Sequence, residues 1–268
     1  MDTKFFLGIG LAVALVFCGA AVYTTFTKIP AASAVPADHE VLYQVSTIDA
    51  LMKGVYGVQP VGEIKKHGNF GIGTFDALEG EMIVIDGKVY QAKADGKVYT
   101  VLDTTTTPFA TVTWFERDFT ATVEKPMNFS VFSTGMGARL PSQNMIYGVR
   151  IQGTFPAMNV RAIPAQQKPY PILTDAAKTQ SVYTYSNATG TVVGFYTPGF
   201  FKGLNVAGYH LHFISDDRLT GGHILDFTVP ANATVEYDIT PAFAMPLPTS
   251  GAFTGVDLSQ DLSEELVV

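Results

Sequence analysis

The sequence is poor in cysteine, with Cys18 alone among 268 residues. Because Cys18 lies in an apolar N-terminal run, the rest of the chain has no thiol for a disulfide, a nucleophile or a metal site. Charged residues are also sparse, at 15%, and the net charge is −7. No basic stripe is present that would neutralise phosphates, so the sequence predicts no nucleic-acid partner.

Charge is absent altogether from residues 5–22, "FFLGIGLAVALVFCGAAV". A membrane-spanning helix needs about 20 apolar residues, whereas a secretory signal has a shorter apolar core followed by a small-residue cleavage site such as "AASA" at 31–34. Residues 1–40 are therefore interpreted as either a cleaved signal peptide or a retained membrane anchor, followed by a linker. Both readings predict export of the folded part, secreted or anchored on the outer side of the cytoplasmic membrane.

Beyond residue 40 the pattern favours strands. Two Asp-Gly dipeptides in "EGEMIVIDGKVYQAKADGKVYTV" predict consecutive hairpins. The segment "MIYGVRIQGTFPAMNVRAIP" predicts two strands with a turn near Pro156. The segments "STIDALMKGVYGV" and "ILTDAAKTQ" predict short helices, capped by Ser46 and Thr174.

The predicted fold class is α/β, dominated by strands and close to α+β. We expect two domains after the N-terminal hydrophobic helix, at residues 41–150 and 151–268. The second is expected to be rich in strands and to carry the metal-binding residues.

Three of the five histidines fall in "GYHLHFISDDRLTGGHILDF". His210 and His212 share one face of a predicted strand, and a polar turn brings the strand of His223 back beside them. Three imidazoles with an open fourth position are a common catalytic zinc arrangement, which cupin-like barrels also use. The alternative, in which each ring only bonds to backbone, is less favoured for three clustered histidines. No role is assigned to His39 or His67.

Two further polar residues stand next to apolar strand positions. Glu81 shares a strand face with Ile83 and Ile85, and either a functional carboxylate or an exposed strand end would fit that place. Arg161 lies between Val160 and Ala162, where a surface arginine with its stem packed on the sheet is the alternative to a binding role.

Six segments together resemble the alpha-acetolactate decarboxylase family: "LYQVSTIDALMKGVYGV", "HGNFGIGTFDALEGEMIVIDGKVY", "YGVRIQG", "QKPYPILTDAAKTQ", "GTVVGFYTPGF" and the histidine segment. The resemblance runs from about Leu42 to about Ser263. It implies a mixed sheet followed by a barrel-like sheet. It also implies a zinc-dependent enzyme that converts 2-acetolactate to (R)-acetoin and CO2, in acetoin and butanediol biosynthesis.

Position by position, the resemblance assigns zinc ligation to His210, His212 and His223. It also assigns catalytic positions to Glu81, Thr74 and Arg161. The family has a second catalytic glutamate near its C-terminus. In this chain either Glu264 or Glu265 takes that place, or the position is absent.

The chemistry follows from these assignments. Loss of CO2 from a β-keto acid leaves an enolate, which the metal would stabilise as a Lewis acid. Arg161 would orient the departing carboxylate, Glu81 would deliver a proton, and Thr74 would support the site by hydrogen bonding. The alternatives are a cupin-like metal enzyme of other specificity, or a non-catalytic exported binding domain. Association into a homodimer is left open.

Overall fold

The computed structural model describes residues 39–55, 59–260 and 262. The hydrophobic helix predicted at residues 5–22 lies outside these residues, as do Glu264 and Glu265. Within the described residues, no helix is both long enough and apolar enough to cross a membrane.

Strands dominate the described chain, as predicted. In chain order they are β1 (Val41–Val45), β2 (Gln59–Pro60), β3 (Phe70–Thr74), β4 (Glu81–Ile85), β5 (Lys88–Ala92), β6 (Val98–Thr100), β7 (Thr106–Thr107), β8 (Ala110–Thr113), β9 (Phe119–Thr122), β10 (Met127–Asn128), β11 (Ile146–Ala162), β12 (Ser181–Thr197), β13 (Gly208–Ser215), β14 (Gly221–Val229), β15 (Thr234–Thr240) and β16 (Ala242–Ala244). The helices are α1 (Ile48–Met52), α2 (Val61–Ile64), α3 (Phe129–Gly137) and α4 (Leu173–Ala177), with short 3₁₀ turns at Asp76–Leu78, Gly199–Phe201 and Gly251–Thr254.

The first sheet has the strand order β16-β1-β8-β3-β4-β5-β6. It is mixed, because β1 and β16 run parallel while its other neighbours are antiparallel. Both predicted Asp-Gly hairpins are confirmed. At the first of them Asp86 and Gly87 have φ of 52° and 72°, the two positive values that a two-residue type I′ turn requires.

The second sheet has the order β10-β14-β13-β12-β11-β15-β9, and β14 also pairs with β11. The pairings of β11, β12, β13 and β14 therefore form a closed circuit. The barrel-like form and the domain boundary at residue 150 remain predictions. The strand pairings do show that β9 and β10 belong to the second sheet, and that β16 returns to the first.

The turn predicted near Pro156 is wrong, because β11 is one continuous strand of 17 residues. Its pairing with β12 keeps the same register on both sides of the proline, with Phe155 opposite Ala188 and Ala157 opposite Ser186. On its other side β11 pairs with β15 as far as Ile151 and with β14 only from Ala157. Proline is tolerated where a strand has an open edge, since no ladder bond is then lost.

The predictions that Ser46 and Thr174 cap the two short helices are also wrong. The N-cap of α1 is Thr47, whose hydroxyl accepts a hydrogen bond from the Ala50 amide at 3.1 Å. Ser46 precedes it with φ of 59°. Helix α4 begins after Ile172 without a side-chain cap, so Thr174 lies inside the helix. The residue that caps depends on where the chain turns, which tertiary contacts decide.

The two sheets pack face to face around an apolar core. Leu42, Phe70 and Ile83 from the first sheet meet Val193 and Phe195 from the second. Burying each such side chain contributes roughly 1.5–3 kcal/mol. In this packing β4 contacts β13 and β14. Strand β4 of the first sheet is thereby held against β13 and β14, the strands that carry the three histidines.

Candidate metal centre and active site

The three predicted ligands come together as expected. His210 and His212 lie two residues apart on β13, and His212 is directly opposite His223 on β14. Each ring offers one nitrogen, and these nitrogens all lie within 4.8 Å of one another. The ring centroids are 5.0 to 5.2 Å apart.

A cross-strand row extends the cluster to the arginine. Arg161 on β11 pairs with His223 on β14, so His212, His223 and Arg161 are successive neighbours across three strands. Gly222 permits this close approach, because a Cβ there would lie 2.6 Å from the carbonyl oxygen of Arg161 and its φ is +151°. A larger residue would push β14 away from β11 beside His223.

The first sheet supplies the remaining predicted residues. Thr74 ends β3 and Glu81 begins β4, and the two are paired directly. Glu81 is buried, with 6% of its surface exposed, so the alternative of an exposed strand end is wrong. Arg161 Nη1 donates to Glu81 Oε1 at 3.2 Å and thereby joins the two sheets. The amide of Ile163 donates to the same carboxylate.

The hydroxyl of Thr74 has a local structural partner. Its Oγ1 donates to the carbonyl of Gly80 at 2.8 Å and so closes the loop between β3 and β4. Thr74 also lines the cavity in front of the histidines. The supporting role predicted for it is consistent with this bond.

His212 has a defined ring orientation. Its Nδ1 lies 2.9 Å from the carbonyl oxygen of Met82, a distance at which Nδ1–H donates to that oxygen. The lone pair is therefore on Nε2, which faces Glu81 Oε2 at 3.8 Å. A backbone carbonyl that fixes the tautomer of a histidine in this way is a recurring feature of metal sites.

Three buried nitrogens of the cluster have no hydrogen-bond partner among the described residues: His210 Nδ1, His212 Nε2 and His223 Nε2. A buried polar atom without a partner costs about 1–3 kcal/mol. The other ring nitrogens of two of these residues, His210 Nε2 and His223 Nδ1, contact each other at 3.2 Å. Two nitrogen ligands at the usual distance from one tetrahedral zinc ion are roughly 3.3 Å apart. The residues present therefore fit a divalent ion.

Burial sets the charge of the site. Burial, together with the positive charge of the nearby Arg161, lowers the pKa of His210 to about 3. Burial likewise holds the pKa of His212 and of His223 well below the usual range. All three rings are thus neutral and able to bind a metal at physiological pH. Burial raises the pKa of Glu81, although Arg161 opposes that shift.

These residues line one cavity of about 110 Å³. Its polar side consists of Thr74, Glu81, Arg161, His210, His212 and His223, together with Thr174 from α4. Its apolar side consists of Ile48, Leu51, Met52, Leu78, Phe109, Ile163, Leu173, Ala177 and Val206. No sequence signal had assigned this apolar wall. Apolar spacing predicts a buried face on α1 and α4, but not that the face borders a cavity.

The loop between β3 and β4, residues 75–80, contributes an unusual residue to that wall. Ala77 and Leu78 have φ of 60° and 58°. Left-handed backbone costs roughly 1–2 kcal/mol for a residue with a side chain. Such strain persists only where surrounding contacts impose it, and it is common at functional sites.

The chain is similar to known proteins in both sequence and fold. A protein-family profile described as Alpha-acetolactate decarboxylase matches residues 42–260. The alpha-acetolactate decarboxylase of Methanosarcina mazei is 52% identical over 85% of this chain and 79% of its own length. That of Methylococcus capsulatus is 44% identical over 85% and 88%. The crystal structure of alpha-acetolactate decarboxylase from Bacillus subtilis strain 168 superposes with a TM-score of 0.80 at 37% identity, covering 84% of this chain and 97% of that one.

Replacing His212 by Ala should abolish binding of a divalent ion, since it removes one of three nitrogens and leaves the Met82 carbonyl without its donor. Elemental analysis of the purified protein measures the metal content per chain. His67→Ala is the matched control, because His67 stacks on Tyr43 and does not line the cavity. Equal metal content in both variants would contradict the assignment.

Proposed function

This chain belongs to the alpha-acetolactate decarboxylase family of carboxy-lyases, and from that premise we propose that it converts 2-acetolactate to (R)-acetoin and CO2 with a zinc ion held by His210, His212 and His223. The observation that carries the metal part of the proposal is the convergence of the three imidazoles, each of which offers one nitrogen within 4.8 Å of the other two. When bound, the ion supplies a Lewis acid that stabilises the negative charge developing on the substrate as CO2 leaves.

Arg161 binds and orients the carboxylate that departs. In the described part of the chain its Nη1 holds Glu81, and its Nη2 and Nε have no hydrogen bond there. Those two nitrogens remain for a paired contact with a carboxylate. Orienting the carboxylate out of the plane of the carbonyl group aligns the breaking bond with the electron-accepting orbital. With neutral histidines beside it, the arginine also makes the cavity attractive to an anion, although the whole protein is acidic.

Glu81 delivers the proton that replaces CO2. Because burial raises its pKa, the carboxyl group holds a proton more readily at neutral pH than an exposed glutamate would. It approaches the cavity from the first sheet, opposite the strands that carry the histidines. Protonation from one side only fixes the configuration of the product as a single enantiomer. The apolar wall keeps competing water away from the reacting carbon.

Glu264 or Glu265 is the second carboxylate in this proposal. Support comes from the course of the chain before it. Gln260 Oε1 accepts a hydrogen bond from Lys53 Nζ at 3.1 Å, directly after α1, and Leu262 is buried with 7% exposed. Because α1 forms part of the cavity wall, the described chain passes beside that wall at Gln260.

We also propose that the enzyme is exported. The support is the 18-residue run at 5–22, which carries no charged side chain and which a signal peptide or a membrane anchor would require.

The function is tested by metal depletion. Protein treated with a chelator should no longer turn over 2-acetolactate, and added zinc should restore the activity, with (R)-acetoin identified by chiral chromatography. The assay is run under nitrogen, because a cupin-like oxygenase would need oxygen. Full turnover by metal-free protein, or turnover only in air, would contradict the proposal.

Arg161→Ala should lower kcat/KM for 2-acetolactate by about a hundredfold or more, because the departing carboxylate loses its oriented partner. Zinc content should be unchanged. Arg161→Lys keeps the charge but not the paired contact. Its kcat/KM should therefore lie between those of the unaltered protein and Arg161→Ala. Loss of zinc in Arg161→Ala would instead indicate that the arginine supports the histidines.

Deleting residues 264–268 should reduce turnover about tenfold or more with zinc still bound, since it removes one of two proton-carrying groups. The double variant Glu264→Gln, Glu265→Gln keeps the chain length and should show the same loss. Turnover equal to that of the intact chain would mean that both glutamates are dispensable.

A further inference from the structure

Leu78 enters the active-site cavity from the loop that connects Thr74 to Glu81. Its side chain is buried, with 1% exposed, and lines the apolar side of the cavity. Most other apolar residues of the wall come from helices or strands. Leu78 comes from a left-handed turn, three residues before the carboxylate that we assign as proton donor.

Four hydrogen bonds hold this turn in place. The amide of Gln166 donates to the Ala77 carbonyl at 2.8 Å, and the amide of Gly80 donates to the Ile163 carbonyl at 2.8 Å. Thr74 Oγ1 donates to the Gly80 carbonyl, and Gln91 Nε2 donates to the Glu79 carbonyl at 2.6 Å. These bonds hold the backbone on either side of Leu78, at Ala77 before it and at Glu79 and Gly80 after it. The position of Leu78 is therefore set by the scaffold and does not adapt freely to what the cavity holds.

The cavity has a polar side and an apolar side, and each side suits a different part of the substrate. The carboxylate, ketone and hydroxyl groups of a 2-hydroxy-3-keto acid need the polar side, with its histidines, Arg161 and Glu81. Its alkyl groups are left for the apolar side. The carbon that loses CO2 must lie within reach of Glu81, so the alkyl group on that carbon is the one nearest the loop of Leu78.

We infer that Leu78 is a specificity-determining residue that limits the size of the alkyl group on the carbon losing CO2. This inference rests on the proposed function, since it uses Glu81 as the proton donor to that carbon. The reaction is the same for every homologue: the bond to the carboxylate breaks, CO2 leaves, and the carbon gains one proton. Shortening Leu78 should therefore widen the range of substrates without changing the chemistry.

Two isomeric substrates provide the test. In 2-aceto-2-hydroxybutyrate the extra methylene is on the carbon that loses CO2, whereas in 2-hydroxy-2-methyl-3-oxopentanoate it is on the ketone side. For Leu78→Ala, kcat/KM for the first isomer relative to 2-acetolactate should rise about tenfold over the unaltered protein, the usual effect of one methylene in an apolar pocket. The relative kcat/KM for the second isomer should stay within about twofold.

Leu102→Ala is the matched control, because Leu102 is 74% exposed and lies outside the cavity. Its two ratios should equal those of the unaltered protein. Unchanged ratios in Leu78→Ala, or an equal rise for both isomers, would overturn the assignment of Leu78. Failure of the unaltered protein to turn over 2-acetolactate would instead count against the proposed function.

Leu78→Met covers the case in which Leu78→Ala does not fold. Methionine is close to leucine in volume but unbranched and more flexible, so buried positions tolerate it well. In this variant the relative kcat/KM should rise about threefold for the isomer with the larger group on the carbon that loses CO2, and the other isomer should be unaffected. A ratio equal to that of the unaltered protein would overturn the inference.

Discussion

The hydrogen bond between His212 and the carbonyl of Met82 links the two sheets at the point where the chemistry is placed. It fixes the ring so that Nε2 points into the cavity, and it requires β4 to lie against β13. The hydrogen bond from Arg161 Nη1 to Glu81 Oε1 makes a second connection across the same boundary. Because both contacts are buried, any sliding of one sheet over the other would leave polar groups without partners, which is costly. The same buried contacts therefore hold both the packing of the two sheets and the geometry of the active site.

The same burial determines the electrostatics. It raises the pKa of Glu81, which favours a proton there, and lowers the pKa of His210 and its two neighbours, which keeps the imidazoles neutral. The guanidinium of Arg161 is left as the remaining fixed positive charge. A cavity with these properties suits a small anionic substrate. The apolar wall supplies the low dielectric that strengthens each of these interactions, and it also sets the shape that substrates must match.

Local sequence signals predicted the parts of this structure that depend on near neighbours. The Asp86-Gly87 turn and the shared face of His210 and His212 follow from backbone geometry alone. Glu81, Thr74 and Arg161 were found through resemblance, since nothing local distinguishes a buried functional carboxylate from an exposed strand end. The continuous strand through Pro156 was missed because its tolerance depends on which edges have partners. Leu78 was missed because a left-handed turn at a non-glycine residue is imposed by distant hydrogen bonds.

X-ray absorption spectroscopy at the zinc edge, on protein purified with its metal, tests the central claim most directly. We expect one zinc per chain with three histidine nitrogens at about 2.0–2.1 Å and the remaining positions filled by oxygen ligands. The histidine signature should be lost when His223 is replaced by Ala. A first coordination sphere with fewer than three histidine nitrogens, or one unchanged by that replacement, would contradict it.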